Sequence, residues 1–334
     1  MRCLLLAIFL IVSSGLAQAE SKVYRGAIGD KHIEMQLNID GSKVTGSYFY
    51  DQFKQDIPLE GSYDTKGQLE LTEGKGKQKT GKFLCKPEPE TFEADVECEW
   101  SRPDGKGQAF VVLTEQGIRL QKETKIVPTI VNDRKTKVFA SYPQVTAQVM
   151  TEGMKSFNVL VESLMQKAVK EFQPESLAKS NFDTNYNVLL ANDELISVEM
   201  EEYSDVGGAH PNTRLWTVNF NVKTNKPLVL DDVFLPQSEY AVEIAKFATK
   251  DINRRADQIE IDEAKRENRQ PQKRDQPVMS EDGLPEMDTW GLSTKGFVVY
   301  FDFPHVMAVF DKTVVPYGLL ARYLNPKGVV PLVR

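Results

Sequence analysis

The chain has 334 residues and a formal net charge of −7, long enough for two ordinary domains and too acidic for nucleic acid to be its natural partner. Beyond the first residues no apolar run approaches the ~20 positions that a membrane-spanning helix needs.

Met1-Arg2-Cys3, the apolar run from Leu4 to Val12, and Ala17-Gln18-Ala19 have the basic, hydrophobic and small-residue parts of a secretory signal peptide. Residues 1–19 are expected to be that leader, cut after Ala19. Cys3 precedes the apolar run, where a lipid-bearing cysteine would have to follow it. The expectation is an exported bacterial protein, periplasmic or secreted, without a membrane span after cleavage. Cys85 and Cys98 are then the two remaining cysteines, and an oxidising compartment makes a disulfide between them the default.

Residues 20–122 alternate short strand-like runs with turns: Val23–Ile28, His32–Ile39, Val44–Tyr50, Ile57–Tyr63, Leu69–Thr72, Gly81–Cys85, Ala94–Trp100 and Ala109–Leu120. Asp40-Gly41, Lys66-Gly67, Gly74–Gly76 and Pro103-Asp104-Gly105 supply the turn chemistry. Ile33, Met35, Leu37 and Ile39 alternate with polar neighbours, so that strand buries one face. The pattern predicts an all-β antiparallel meander, closed as a small barrel or folded as a sandwich. Tyr48, Phe49, Tyr50 and Phe53 are either core packing or the mouth of a ligand cavity. Lys75, Lys77, Lys79 and Lys82 read as a solvated basic hairpin or as a contact for an anionic polymer.

Composition shifts near Lys122–Pro128, and residues 123–334 read as an α+β domain with two main helices on one face of an antiparallel sheet. Thr136–Tyr142 is a strand that Pro143 should stop. Met154, Phe157, Val161, Leu164, Met165, Ala168 and Phe172 recur at three and four residues, which predicts an amphipathic helix ending before Pro174. Tyr186–Leu190, Ile196–Tyr203, Leu215–Val222 and Leu228–Leu230 follow as strands. A second helix is expected to open near Ser238, with Tyr240, Ile244, Phe247, Ala248 and Ile252 on one face. Residues 254–288 lose the apolar period and become highly charged, which predicts a flexible insert that either begins as a solvated extension of the second helix or is loop throughout, with loop or disorder from Pro271 onward. Gly296–Phe303, Val314–Tyr317 and a turn of helix over Leu319–Leu324 close the chain.

Between two strands lies Tyr203-Ser204-Asp205-Val206-Gly207-Gly208-Ala209-His210-Pro211-Asn212. Paired glycines reach backbone angles closed to other residues, and the sequence after them sets a constrained polar return. His210 is thereby held on a fixed scaffold, either hydrogen-bonded to the adjoining strand or presented to a ligand.

Four pieces in order carry a resemblance: Ser141-Tyr142-Pro143-Gln144, the Tyr203–Asn212 loop, Leu228-Val229-Leu230-Asp231-Asp232-Val233-Phe234, and Val315-Pro316-Tyr317. From about Lys135 to the C-terminus the chain resembles the RsiV-like family of extracytoplasmic domains. These form the outer part of a lysozyme-sensing anti-sigma factor and accompany the catalytic domain of PdaC-type peptidoglycan deacetylases. The resemblance implies an envelope binding module, with Tyr203, Gly207, Gly208, His210 and Asn212 as contact residues. Its partner would be a lysozyme-like protein or a peptidoglycan fragment. Phe303-Pro304-His305-Val306-Met307 departs from the Tyr-Glu-containing segment of the family, which sets lysozyme recognition apart from the rest of the expectation.

Catalytic signals are sparse. The histidines are His32, His210 and His305, none in zinc-ligand spacing, and no nucleophile elbow or phosphate loop occurs. No cofactor or metal is expected. The leading expectation is a non-enzymatic envelope binding protein; the alternatives are a wall hydrolase or deacetylase using His210 with Asp231 or Asp232, and a structural envelope protein. Convergence of those three residues with His305 in one cleft would favour catalysis.

Overall fold

The computed structural model describes residues 20–76, 78–86, 95–121, 123–174, 180–208, 210–280 and 287–333. The expected leader 1–19, Lys77 of the basic hairpin, the loop Pro87–Thr91, Ala209 of the glycine loop, and Pro285 lie outside the described residues.

The first eight strands form a closed antiparallel barrel. They are β1 (Glu20–Ile28), β2 (Lys31–Asp40), β3 (Lys43–Tyr50), β4 (Ile57–Tyr63), β5 (Leu69–Lys75), β6 (Gln78–Cys85), β7 (Val96–Ser101) and β8 (Gln108–Glu115). Closure comes from β1 pairing with β8, which leaves no free edge. The inward set, including Ile33, Met35, Leu37, Val44, Leu59, Leu71, Phe83 and Val111, fills the interior, as expected for a barrel of this strand number. Tyr48 belongs to that core and donates its hydroxyl to Glu73 at 2.8 Å, whereas Phe53 stays exposed and touches Tyr50 edge-on. Cys85 and Cys98 sit directly opposite each other on β6 and β7 and form the expected disulfide.

The α+β part starts earlier than its first expected strand. β9 (Thr124–Asp133) and β10 (Val138–Ala147) pair along their length, and Pro143 does not stop β10. It faces Pro128 across the ladder, at a position where neither proline needs an N–H toward its partner. Helix α1 (Glu152–Glu171) follows, capped by Thr151, whose hydroxyl accepts from the Met154 amide at 3.2 Å. β11 (Asn181–Ala191), β12 (Leu195–Asp205), β13 (Asn212–Asn221) and the two-residue β14 (Lys226–Pro227) complete a six-stranded sheet. It is antiparallel except where β10 meets β11 in parallel, over Val138–Ala140.

Leu228–Leu230, expected as a strand, passes instead into a 3-10 turn, Leu230–Asp232. Helix α2 runs Tyr240–Arg266, well into the segment expected to be a solvated insert. Arg255 explains the difference. It is buried, and its guanidinium donates to Asp251, to the Val309 carbonyl at 2.9 Å and to the Lys312 carbonyl at 2.8 Å. After the helix the chain returns along it rather than leaving it: Arg269 binds Glu260, and Arg274 binds the Asn253 carbonyl and Asp257, each at 2.8 Å. A second sheet, β15 (Trp290–Leu292), β16 (Phe297–Tyr300) and β17 (Lys312–Val315), precedes the short α3 (Tyr317–Leu320), which opens two residues earlier than expected, with Pro316 at its N-cap.

The layers follow from strand alternation. Ile196, Val198 and Met200 of β12 pack under α1, while Leu195 joins the core of the three-stranded sheet on the other face. Helix α2 packs on β17, outside that second sheet. The class is therefore α+β, and each main helix covers a sheet of its own.

Barrel and sheet are joined along the edge of β11. Beyond Thr184 that edge has lost β10, and its backbone groups need other partners. The barrel provides them. Arg25 Nε donates to the Tyr186 carbonyl at 3.1 Å, Gln116 Oε1 accepts from the Val188 amide at 2.5 Å, and the Gly117 amide donates to the Val188 carbonyl at 2.8 Å. Residues 116–119 thus leave β8 to add a short parallel segment to β11, bridging Ile118 to Ala191. A Cβ at Gly117 would stand 2.1 Å from the Leu189 carbonyl oxygen, so only glycine allows this approach.

Candidate functional site

The sheet face opposite α1 is covered by β15–β17 at one end and left open at the other. Covered residues are Leu195 and Ser197; from Glu199 onward the same face turns polar and increasingly open. The register sets three cross-strand pairs there: Asn187 opposite Glu199, Asn185 opposite Glu201, and Asp183 opposite Tyr203. Strands β1 and β8 of the barrel rise along one side through Ala27, Val112 and Thr114. Together with Arg25, Gly26 and His32, these residues except Glu199 line a trough of about 340 Å³.

Below the trough Arg25 is completely buried and makes a paired contact with Asp51, at 2.6 Å through Nη2 and 3.4 Å through Nη1. Glu34 lies 3.3 Å from the same guanidinium, which also stacks 3.8 Å above the Tyr186 ring. Ser141, from the sheet, donates to Asp51 at 2.6 Å, so the ion pair spans barrel and sheet. Burial works against the charge on Arg25, but Tyr186, Asp51 and Glu34 more than offset it and hold the guanidinium firmly protonated. Burial pushes the Glu34 carboxyl up in spite of Arg25.

At the barrel side of the trough, His32 Nε2 lies 2.5 Å from Asp183 Oδ1, and its ring stacks on Phe139 at 5.9 Å. Its Nδ1 is enclosed and has no partner among the described residues, so of the two ring nitrogens one is shut away and the other is engaged with Asp183. At the other side, buried Glu199 accepts from Tyr300, from Asn187 at 2.9 Å and from Lys312 at 2.7 Å. Burial alone would raise this carboxyl, but Lys312, Tyr300 and Asn187 together bring it below the usual carboxylate range.

The expected site residues divide. Tyr203 is 40% exposed and faces the trough. Gly207, Gly208, His210 and Asn212 form the tip of the β12–β13 hairpin at the end of the trough. Gly207 has φ 89°, and its amide donates to Asp205 Oδ1 at 2.8 Å, which accounts for glycine at this position. His210 is exposed and makes no hydrogen bond among the described residues, so it does not pin the loop to the adjoining strand.

Asp231 and Asp232 lie elsewhere. They follow β14, at the opposite end of β13 from His210, roughly 25–30 Å away by the rise of a ten-residue strand. Asp232 is occupied as the cap of its own turn, accepting from the Val229 amide at 2.9 Å. His210, Asp231 and Asp232 are therefore kept apart by the length of β13. His305 begins the 3-10 segment His305–Phe310 between β16 and β17. Among the described residues no three of His, Cys, Asp and Glu come together to hold a metal ion.

Sequence reasoning missed His32, Asp183, Asn185, Asn187, Glu199 and Glu201. A signal existed: Asp183, Asn185 and Asn187 alternate with Phe182, Thr184, Tyr186 and Val188, and amide or acidic residues are unusual on a strand face unless it is wet or occupied.

No protein-family model matches the chain. Among curated proteins, the peptidoglycan-N-acetylmuramic acid deacetylase PdaC of Bacillus subtilis (strain 168) is 26% identical over 149 residues, which is 44% of this chain and 32% of the deacetylase. The chain thus spans about a third of the length of the curated relative it matches. A solved DUF3298 family protein from Pseudomonas aeruginosa PAO1 aligns with 61% of this chain and 94% of its own, at 16% identity and a TM-score of 0.40. A DUF3298 member from Bacteroides fragilis NCTC 9343 aligns with 63% and 95%, at 14% identity and a TM-score of 0.42.

Proposed function

We propose that the chain is an exported binding protein of the bacterial envelope whose partner is cell-wall-related, either a peptidoglycan fragment or a muramidase of the lysozyme class. The observation that carries this reading is the open end of the β12–β13 hairpin, where Tyr203, His210 and Asn212 stand exposed around a glycine turn beside a polar trough. The similarity to a peptidoglycan deacetylase supports the wall as the setting. Contact suits these residues better than chemistry, because His210 makes no hydrogen bond or ion pair among the described residues and His32 is engaged through Nε2 with Asp183. The disulfide fits export.

Purified wall sacculi and purified lysozymes test it by co-sedimentation and pull-down with the mature chain. Retention by either, weakened by Tyr203→Ala or His210→Ala, is the expected result. No retention by any of them would sink the proposal. Release of acetate or reducing sugar from sacculi by the wild-type chain would replace binding with catalysis.

A further inference from the structure

We propose that the trough between barrel and sheet is a glycan subsite that recognises the acetamido group of an N-acetylated amino sugar. This rests on the wall-binding reading and names the ligand chemistry at the same site. The trough is at the lower end of the ~300–1,000 Å³ range of small-ligand sites. The hydrogen-bonding polarity of its floor is fixed from below, where three side-chain amides lie in or beside it. Gln116 donates through Nε2 to the Thr114 carbonyl at 2.8 Å and to Asn187 Oδ1 at 3.0 Å, and accepts from the Val188 amide through Oε1. Asn187, its oxygen thus taken, donates through Nδ2 to Glu199 at 2.9 Å. Asn185 differs. A guanidinium only donates, so Asn185 must turn Oδ1 to Arg25 Nη2, 3.1 Å away, and this leaves Nδ2 for the trough. Among the described residues that Nδ2 has no hydrogen-bond partner, and neither has Asp183 Oδ2, since His32 is held by Oδ1.

The floor therefore offers an oriented donor and an open acceptor, two residues apart on one strand face, about 7 Å. A trans amide hydrogen-bonded at both ends separates its two partners by roughly 7–8 Å, as it does between the strands of a sheet. It fits here with its N–H toward Asp183 and its C=O toward Asn185. A single hydroxyl meets either group and does not span both. Tyr203 supplies the platform: it is 40% exposed, directly opposite Asp183, and a diagonal neighbour of Asn185 across the strands. A sugar lying on that ring brings an acetamido substituent over the Asp183–Asn185 pair, with the apolar face of the sugar against the aromatic one. A peptide amide makes the same two bonds without using the ring. Both bonds are made to a neutral group, so the recognition does not depend on the net charge of the trough.

The test is titration calorimetry of the mature chain with three uncharged probes. They are the β-linked tetramer of N-acetylglucosamine, the corresponding tetramer of glucose, which lacks only the acetamido groups, and tetra-alanine blocked at both ends, which has amides and no sugar. The acetylated tetramer should bind at least about tenfold more tightly than either of the others, the worth of two hydrogen bonds. Added salt should change that affinity by less than about twofold. Asn185→Asp keeps an acceptor for Arg25 but replaces the trough-facing donor, and should bring the acetylated tetramer to within about twofold of the glucose tetramer. Tyr203→Ala should weaken the acetylated tetramer about tenfold. Lys155→Ala, exposed on α1 across the sheet, should change nothing, and unchanged far-UV circular dichroism keeps folding separate from binding. Failure of the acetylated tetramer to bind, equal or tighter binding of glucose tetramer or peptide, or an affinity indifferent to Asn185→Asp and Tyr203→Ala overturns the assignment. If the chain still sediments with sacculi in that case, the wall-binding reading stands and the trough is not its site. If sacculi and lysozymes are not retained either, both fall together.

Discussion

Replacing Arg25 should do more damage than any other single change at the junction of barrel and sheet. Its guanidinium is fully buried, holds Asp51 by two contacts, donates to the Tyr186 carbonyl and to Asn185 Oδ1, and lies on the Tyr186 ring. In Arg25→Ala, Asp51 becomes a buried carboxylate supported only by Ser141 and the remaining polar contacts. Breaking a buried pair from one side typically costs about 3–5 kcal/mol, most of it the penalty of the stranded charge. Arg25→Lys should recover little, because a single ammonium cannot reproduce the fork to Asp51 and the Nε bond to Tyr186. Pairing Arg25→Met with Asp51→Leu should recover more than half of the loss, since no charge is left stranded. Urea unfolding followed by circular dichroism reads this out. With a slope of roughly 3 kcal/mol per molar, the midpoint should fall by about 1–1.7 M in Arg25→Ala. A loss below about 1 kcal/mol would refute the reasoning, because the pair would then be hydrated rather than buried.

Other substitutions probe the remaining junctions. Gly117→Ala should destabilise by about 1–3 kcal/mol, as the added carbon meets the Leu189 carbonyl and forces residues 116–119 away from β11; hydrogen exchange at the Val188 and Ala191 amides should rise with it. Removing the Cys85–Cys98 bridge in a Cys85→Ala, Cys98→Ala double variant should cost about 3 kcal/mol by freeing a loop with a sequence separation of 13, measured as a lower thermal midpoint. Lys312→Met should leave Glu199 held only by Tyr300 and Asn187 and, with Lys312 itself partly exposed, cost about 1–3 kcal/mol in urea unfolding at neutral pH. Because the Glu199 carboxyl is held below its unfolded value, the stability it contributes is present above the ordinary carboxylate range and is lost as pH falls through its folded value. The wild type should therefore lose more stability than Lys312→Met between pH 6 and pH 3.

Arg25 also shows where sequence reading stops. On β1 the alternation is plain: Tyr24 and Ile28 point into the barrel, so Arg25 points out. Outward normally means solvent, but here it means the edge of a strand 161 residues later. The same holds for Arg255, which lies in a charged run and is nevertheless buried against the Val309 and Lys312 carbonyls. Of the candidate site, the glycine turn and Tyr203 were legible. The polar face of β11 was written in the sequence but lacked the one fact that gives it meaning, namely that the small sheet stops short of it.

The sequence by itself determined what local periodicity and backbone chemistry can determine. Alternating residues and glycine turns set the eight-stranded meander, the three-and-four spacing set α1, and two cysteines on neighbouring strands set the disulfide. Tertiary structure decided the parallel contact of β10 with β11, the separate three-stranded sheet that takes α2, the welding of the barrel to the β11 edge, and the distance that parts His210 from Asp231 and Asp232. Those features depend on which unsatisfied backbone edge or buried charge meets which partner far along the chain. A local pattern carries no record of that pairing, because the same outward-facing side chain serves equally well in water or against another domain.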